Sequence, residues 1–323
     1  MALSASRRFV ASLLLVTPVV TLAAPPPQVR TSSPGYYRMM LGDFEITALS
    51  DGTVTLPADT LLTNITPAEV KARLGRLGID PGRVEASINA FLVHTGEHLV
   101  LVDTGSGTLF GPTMGGRLLS SLRAAGYQPE DIDAVLLTHI HGDHSCGLTL
   151  DGKPSFPNAT VHVEQREADF WLDASHANHV AKEHHHGFQE AAAAFAPYLA
   201  AGRVKRFSGD TELFPGIRTL ATPGHTPGHA FYVVESQGRQ LRFWGDLIHA
   251  QDVQFPSPGV TIRFDLDSTA AARQRRKAMS DAAAKGYLVA APHISFPGIG
   301  RVLADGKGFA WAPVHYSVAG LSP

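Results

Sequence analysis

Between Ala134 and His144 the chain reads Ala-Val-Leu-Leu-Thr-His-Ile-His-Gly-Asp-His, an apolar run ending in three imidazoles and one carboxylate within six residues. Few folds can absorb such a segment. In extended backbone, residues two apart face the same way, so His139 and His141 project together. Beyond flexible Gly142, Asp143 and His144 can turn toward a neighbouring point. Crowded behind a buried strand without a cation, unpaired groups of this kind would cost roughly several kcal/mol. Ligand chemistry and spacing therefore predict a metal site, with two ions sharing one pocket.

The rest of the composition narrows the partners. With 323 residues the chain can bury one large core or two small ones. A net charge of -2 leaves no basic footprint for a phosphate backbone, so nucleic acid is a poor partner and a small molecule a better one. Cys146 is the single cysteine, so no internal disulfide is possible and stability must come from the core and the metal. Arg7-Arg8, the apolar stretch Phe9 to Leu22 and the small pair Ala23-Ala24 form a secretory signal pattern, with a hint of twin-arginine export. The expected organisation is a signal peptide over 1–24, a Pro- and Ser-rich linker over 25–35 and one domain over 36–323. Such a protein would be periplasmic or secreted, with no membrane contact once the signal is removed.

Periodicity predicts an α/β chain. Phe44 to Leu49 and Val54 to Leu56 flank Ser50-Asp51-Gly52, a hairpin signal, and Ile88 to Val93 and His98 to Val102 repeat the arrangement around Thr95-Gly96. Helical patterns cover Arg117 to Ala125, Glu164 to Leu172, Phe188 to Ala200 and Ser268 to Ala284. Within the last, Arg273, Arg275, Arg276 and Lys277 read as a solvated face. Strands are expected at Ala134 to Leu137, Ile217 to Ala221, Ala230 to Val234, Leu241 to Trp244 and Leu288 to Ala291. Two mixed sheets face to face with helices outside is the simplest arrangement.

A two-ion site needs further ligands, and three strand ends beside Gly or Pro turns supply them: His225 in Thr-Pro-Gly-His-Thr-Pro-Gly-His, Asp246 after Phe-Trp-Gly, and His293 after Ala-Ala-Pro. Here the chain resembles the metallo-β-lactamase superfamily, whose pattern is His-x-His-x-Asp-His followed by single His, Asp and His ligands in that order. The resemblance implies an αββα sandwich in which His139, His141 and His225 hold one ion, Asp143, His144 and His293 the other, and Asp246 bridges them. Zn²⁺ suits these donors, and Mn²⁺, Co²⁺ or Fe²⁺ are tolerated. The segments Pro34 to Arg38, Gly42 to Gly52, Ala168 to Leu172 and Ser295 to Gly300 look like methyl parathion hydrolase and its lactonase, dihydrocoumarin hydrolase-like relatives. That likeness suggests a homodimer. His249, Ile262 and Phe264, the loop Ala174 to His186 and Gly142 depart from the phosphotriesterase pattern and favour the lactonase branch.

Two dications would acidify a shared water, so the expected reaction is the opening of lactones or aryl esters by a metal-bridging hydroxide, with Asp143 as a proton shuttle and Asp246 as the bridge. Weak phosphotriester turnover is expected beside it; an organophosphate phosphotriesterase is the alternative, and a mononuclear iron dioxygenase or a turnover-free binding protein are more distant ones. Phe110, Trp171, Phe188, His249, Ile262, Phe264 and Ile294 are the candidate substrate pocket. Bland readings hold elsewhere. His184-His185-His186, with His176 and His179, reads as solvated surface, Cys146 as a packed residue, His229 as a turn or supporting residue, and Asp103 as a turn or an orienting partner for a ligand histidine.

Overall fold

The computed structural model describes residues 26–111 and 113–321. The stretch read as a signal peptide lies outside the described residues. Residues 26–34 are exposed and without regular structure, and Pro34–Pro323 group as one compact unit. Among the described residues no helix is long and apolar enough to cross a membrane.

Two seven-stranded sheets follow one another along the chain. The first runs β1 (Tyr36–Leu41), β2 (Phe44–Leu56), β3 (Val84–His94), β4 (Leu99–Val102), β5 (Ala134–Leu136), β6 (Thr160–Glu164) and β7 (Val204–Phe207), neighbours in space as in sequence. β1 to β4 pair antiparallel and β4 to β7 parallel. The second runs β8 (Glu212–Phe214), β9 (Ile217–Ala221), β10 (Ala230–Ser236), β11 (Arg239–Phe243), β12 (Leu288–Ala290), β13 (Ile299–Asp305) and β14 (Gly308–Pro313). Its pairs are antiparallel except β11 with β12, which are parallel and joined through a long helix. The helices that matter below are α1 (Pro67–Gly75), α2 (Leu118–Ala124), α3 (Gln165–Trp171), α4 (His185–Ala200) and α5 (Ser268–Lys285).

The period of two along a strand assigns each side chain to a layer. From β3, Phe91 and Val93 enter the middle core, where they meet Tyr232, Val234, Phe243 and Ala290 of the second sheet. Ala90 and Leu92 face the other way, into a core closed by Leu122 of α2, Trp171 of α3, and Phe188 and Phe195 of α4. Behind the second sheet, Phe231 and Val289 pack on Ala278, Met279 and Ala282 of α5. Strands buried on both faces explain the continuous apolar runs at Ala134 to Leu137 and Leu288 to Ala291. The result is the expected αββα sandwich.

Two expectations are corrected. Ser50-Asp51-Gly52 does not turn the chain: β2 continues through it with a register shift between Ser50 and Gly52, a β-bulge. The reason is Asp51, fully buried, whose carboxylate accepts from Ser106 N and Oγ at 2.9 and 2.7 Å, Gly116 N at 3.0 Å and Leu118 N at 2.9 Å. The bulge aims a carboxylate at three loose amides. Nor is the basic run on α5 wholly solvated. Arg275 shares the inward stripe with Ala271, Ala278 and Ala282 and is fully buried, donating to the carbonyls of Leu247 and Val260.

Asp51→Ala strands those amides without an acceptor, so it should destabilise the fold by about 3 kcal/mol. The measurement is a lower denaturant midpoint at unchanged slope; an unmoved midpoint would show that the bulge is not a structural anchor.

Candidate metal centre

The loops that follow β5, β9, β11 and β12 open at one edge of the sandwich and carry the predicted side chains there. After β5 the chain bends at Thr138, whose carbonyl accepts the Ala230 amide at 3.0 Å, before the short helix Gly142–Ser145. His225 lies in the β9–β10 loop, Asp246 just past β11 and His293 just past β12. Gly245 precedes Asp246 with φ 52°, and a Cβ there would lie 2.6 Å from His229 Nε2 and 2.8 Å from Thr138 Cβ. Only glycine lets the two loops approach this closely.

The predicted ligands form two groups of donor atoms, and Asp246, His249 and His293 form a third that overlaps them. His139 Nε2 and His225 Nε2 lie 3.1 and 3.0 Å from His141 Nδ1, and 3.6 and 3.3 Å from Asp246 Oδ2. On the other side of the same carboxylate, His144 Nε2 and His293 Nε2 lie 3.0 and 3.1 Å from Asp246 Oδ1, with Asp143 Oδ2 at 3.6 and 3.3 Å from those nitrogens. Within each group, His139, His141, His225 and Asp246 or Asp143, His144 and His293, the donor atoms lie within 4.8 Å of one another.

The outer ring nitrogens decide what the inner ones can do. His144 Nδ1 sits 3.0 Å from Asp103 Oδ2, His225 Nδ1 2.9 Å from Asp265 Oδ1 and His293 Nδ1 2.8 Å from the Ser87 carbonyl. Each of these partners is an acceptor, so each Nδ1 donates. The Thr138 hydroxyl donates to Asp103 at 2.9 Å and so accepts from His139 Nδ1 at 3.1 Å. In the neutral rings the Nε2 atoms therefore present lone pairs to one another and to Asp246, an arrangement that fits divalent cations. His144 Nε2 and Asp246 Oδ1 have no hydrogen-bond partner although both are buried.

The charges point the same way. Burial works against an ionised Asp246, yet His144, His293 and His249 hold its carboxyl well below the usual range. Burial also works against a charged His225, yet Asp246 and Asp265 hold it up at about 9. Burial, then His144, keep His139 well below its ordinary value, as a ligand imidazole requires. The carboxylates draw positive charge into a buried site.

A cavity of about 390 Å³ opens onto the centre. Phe110, Trp171, His249 and Phe264 line it beside His141, Asp143, Asp246 and His293. Phe188, Ile262 and Ile294 do not. Phe188 packs behind Trp171 at 4.8 Å between ring centroids, Ile262 is in the core beneath α1, and Ile294 is in the core against α5. An apolar residue suits a core and a pocket wall equally, and only the layer assignment separates them. His249 is closer to the centre than a wall residue, its Nε2 2.9 Å from Asp246 Oδ2. From the histidine run, His184, half-buried, and His186, exposed as expected, also border the cavity. Cys146 stays apart from both donor groups, and burial pushes its thiol up to about 12. Asp103 serves both readings offered for it, turning the chain at φ 58° and orienting His144. His229 takes its supporting place, Nδ1 on Thr222 at 2.9 Å and Nε2 accepting the Asp246 amide at 3.0 Å.

Several supporting residues carry no sequence signal. Asp265 orients His225 and takes a charge contact of 3.8 Å from buried Arg275. Gln254 Oε1 accepts the amides of His249 and Ala250 at 2.7 and 3.0 Å. Glu167, fully buried on α3, accepts the Ile140 amide at 2.9 Å and the Gly228 amide at 2.8 Å. On paper each is an ordinary polar residue near a turn or on a helix.

Comparison with known proteins agrees with this geometry. An N-acyl homoserine lactonase of Bacillus sp is 29% identical over 178 residues, 49% of this chain, and the chain spans 63% of that relative's length. An atrochrysone carboxyl ACP thioesterase of Claviceps purpurea (strain 20.1) is 27% identical over 264 residues, covering 79% of this chain and 69% of the relative. Among solved structures, the hydrolase AbOPH of the beta lactamase superfamily is 41% identical with a TM-score of 0.84, covering 89% of this chain and 100% of that one. AidC, a dizinc quorum-quenching lactonase in complex with a product, is 27% identical with a TM-score of 0.77, covering 88% of this chain and 98% of that one. The family pattern described as the Metallo-beta-lactamase superfamily matches residues 83–285, a span holding six of the seven candidate ligands. Sequence match, sandwich and convergent histidines agree: the chain belongs to the metallo-β-lactamase superfamily.

Proposed function

We propose that the protein is a metal-dependent hydrolase that opens lactones and aryl esters, with phosphotriesters as secondary substrates. The carrying observation is the pair of donor groups sharing Asp246 on the floor of a cavity with largely apolar walls. His139, His141, His225 and Asp246 would hold one divalent cation, and Asp143, His144, His293 and Asp246 the other. When bound, such a pair supplies an acidified water and polarises a carbonyl or phosphoryl oxygen.

The chain's own residues supply the rest. Val54, Leu56, Leu61, Phe110, Trp171 and Phe264 offer a ring-shaped substrate an apolar seat and exclude bulk water. Asp246 is 3% exposed at its side chain and kept ionised, which suits a fixed bridge. Asp143 is 20% exposed, lines the cavity and faces both His144 and His293. That position lets the carboxyl oxygen left free by the ligand role take up a proton and return it to the departing ring oxygen. A phenolic leaving group scarcely needs the return, since phenolate departs unaided. The lactonases among the similar proteins support the lactone side of the reading, and the aromatic wall supports an aryl group.

Two outcomes are expected. Exhaustive chelation should remove activity and Zn²⁺ restore it, while Asp246→Ala should leave only background turnover in a protein of unchanged circular dichroism; activity surviving either treatment sinks the reading. On zinc- and manganese-loaded protein, dihydrocoumarin should exceed methyl parathion in kcat/KM by at least about tenfold, a difference of about 1.4 kcal/mol in barrier. The reverse order would make the enzyme a phosphotriesterase.

A further inference from the structure

The two loops that bring His139, His141 and His225 together have different origins. One follows β5 in the first sheet, and the other joins β9 to β10 in the second. Glu167 touches both. One carboxylate oxygen accepts the amide of Ile140, between His139 and His141, and the other accepts the amide of Gly228, three residues past His225. The side chain is fully buried. The fit at Gly228 is tight: a Cβ there would lie 2.3 Å from the Glu167 amide and 2.6 Å from Glu167 Cβ. One helical turn further along α3, Trp171 meets the His141 ring at 5.2 Å between centroids and 71° between planes. Positions four apart share a helix face, so one side of α3 holds both the loops and a ligand ring.

We infer that Glu167 is a positioning residue, a strut that fixes the spacing of the three imidazoles of His139, His141 and His225 and sets how tightly that group holds its cation. The inference rests on reading those imidazoles as ligands. A carboxylate fits the task because both oxygens accept, one for each loop amide. An amide of the same shape keeps one acceptor and turns an NH₂ group against the other N–H. The second group is braced elsewhere, by Asp103 on His144 and the Ser87 carbonyl on His293. Loss of the strut should therefore act on one ion and spare the other.

The test compares wild type with Glu167→Gln, and with Tyr198→Phe as a control. Tyr198 is also buried, and its hydroxyl binds Leu148 and Phe156, beyond the ligand residues of the β5–β6 loop and without contact to the amides that Glu167 holds. Apo proteins are titrated with Zn²⁺ against a chromogenic chelator and with Co²⁺ by visible absorption, and metal content is measured after desalting. Wild type and Tyr198→Phe should hold two ions. Glu167→Gln should hold one as tightly as wild type and the other about 10- to 100-fold more weakly, with partial loss of the cobalt bands. Retention of both affinities within about twofold, or parallel loss of both ions, would overturn the strut; the twofold margin is well inside the effect expected of an orienting partner. If Glu167→Gln does not fold, Glu167→Asp keeps the charge but is too short to span both amides, and the same selective loss is expected. A wild type that holds no two ions overturns the metal reading and the strut with it, and the wild-type titration alone tells that failure apart.

Discussion

Asp246 sits where the electrostatics of the molecule converge. Its carboxylate is buried, and five imidazoles from four loops lie within 3.6 Å of it: His139, His144, His225, His249 and His293. Burying one unpaired charge of this kind would cost several kcal/mol, about the net stability of many small domains. The fold is organised to avoid that cost. Each loop reaching Asp246 starts at a strand end, where backbone hydrogen bonding fixes its direction, and the outer nitrogens of His139, His144, His225 and His293 are each held by an oxygen. The rigid part of the site is thus the ring of acceptors behind the imidazoles, and the imidazoles are its inner surface.

The same arrangement explains which parts were legible from the chain. Ligand residues announce themselves because chemistry places His and Asp beside Gly and Pro at strand ends, as at Gly142, Pro223-Gly224, Gly245 and Pro292. Layer order was legible because period two along β3 and β10 splits each strand between two cores. Asp103 and His229 were legible as supporting residues, but the other braces were not. Glu167 lies on a helix and Asp265 in a loop, and nothing local marks a carboxylate whose partners come from distant segments. Arg275 stands in a basic run whose neighbours are exposed, and only the register of α5 against the sheet turns it inward. Phe188, Ile262 and Ile294 were misplaced as pocket wall for a related reason, since hydrophobicity reports burial without reporting which void is nearby.

Asp51 shows the same limit in the backbone. Ser-Asp-Gly between two alternating runs carries the local chemistry of a turn, yet the long pairing of β2 with β3 overrides it. The turn residues are used for a bulge whose carboxylate binds the segments leading into α2. Local preference and the wider sheet compete there, and the sheet prevails because it satisfies more amides.

The split of the donors between the two sheets bears on how the protein comes into being. His139 to His144 belong to the first sheet's side, while His225, Asp246 and His293 arrive with the second. During synthesis the early half emerges with its imidazoles open to solvent and its apolar face uncovered. Until β12 docks beside β11 the donor set is incomplete. On the proposed ligand assignment a cation would therefore be captured late, once the two halves have met.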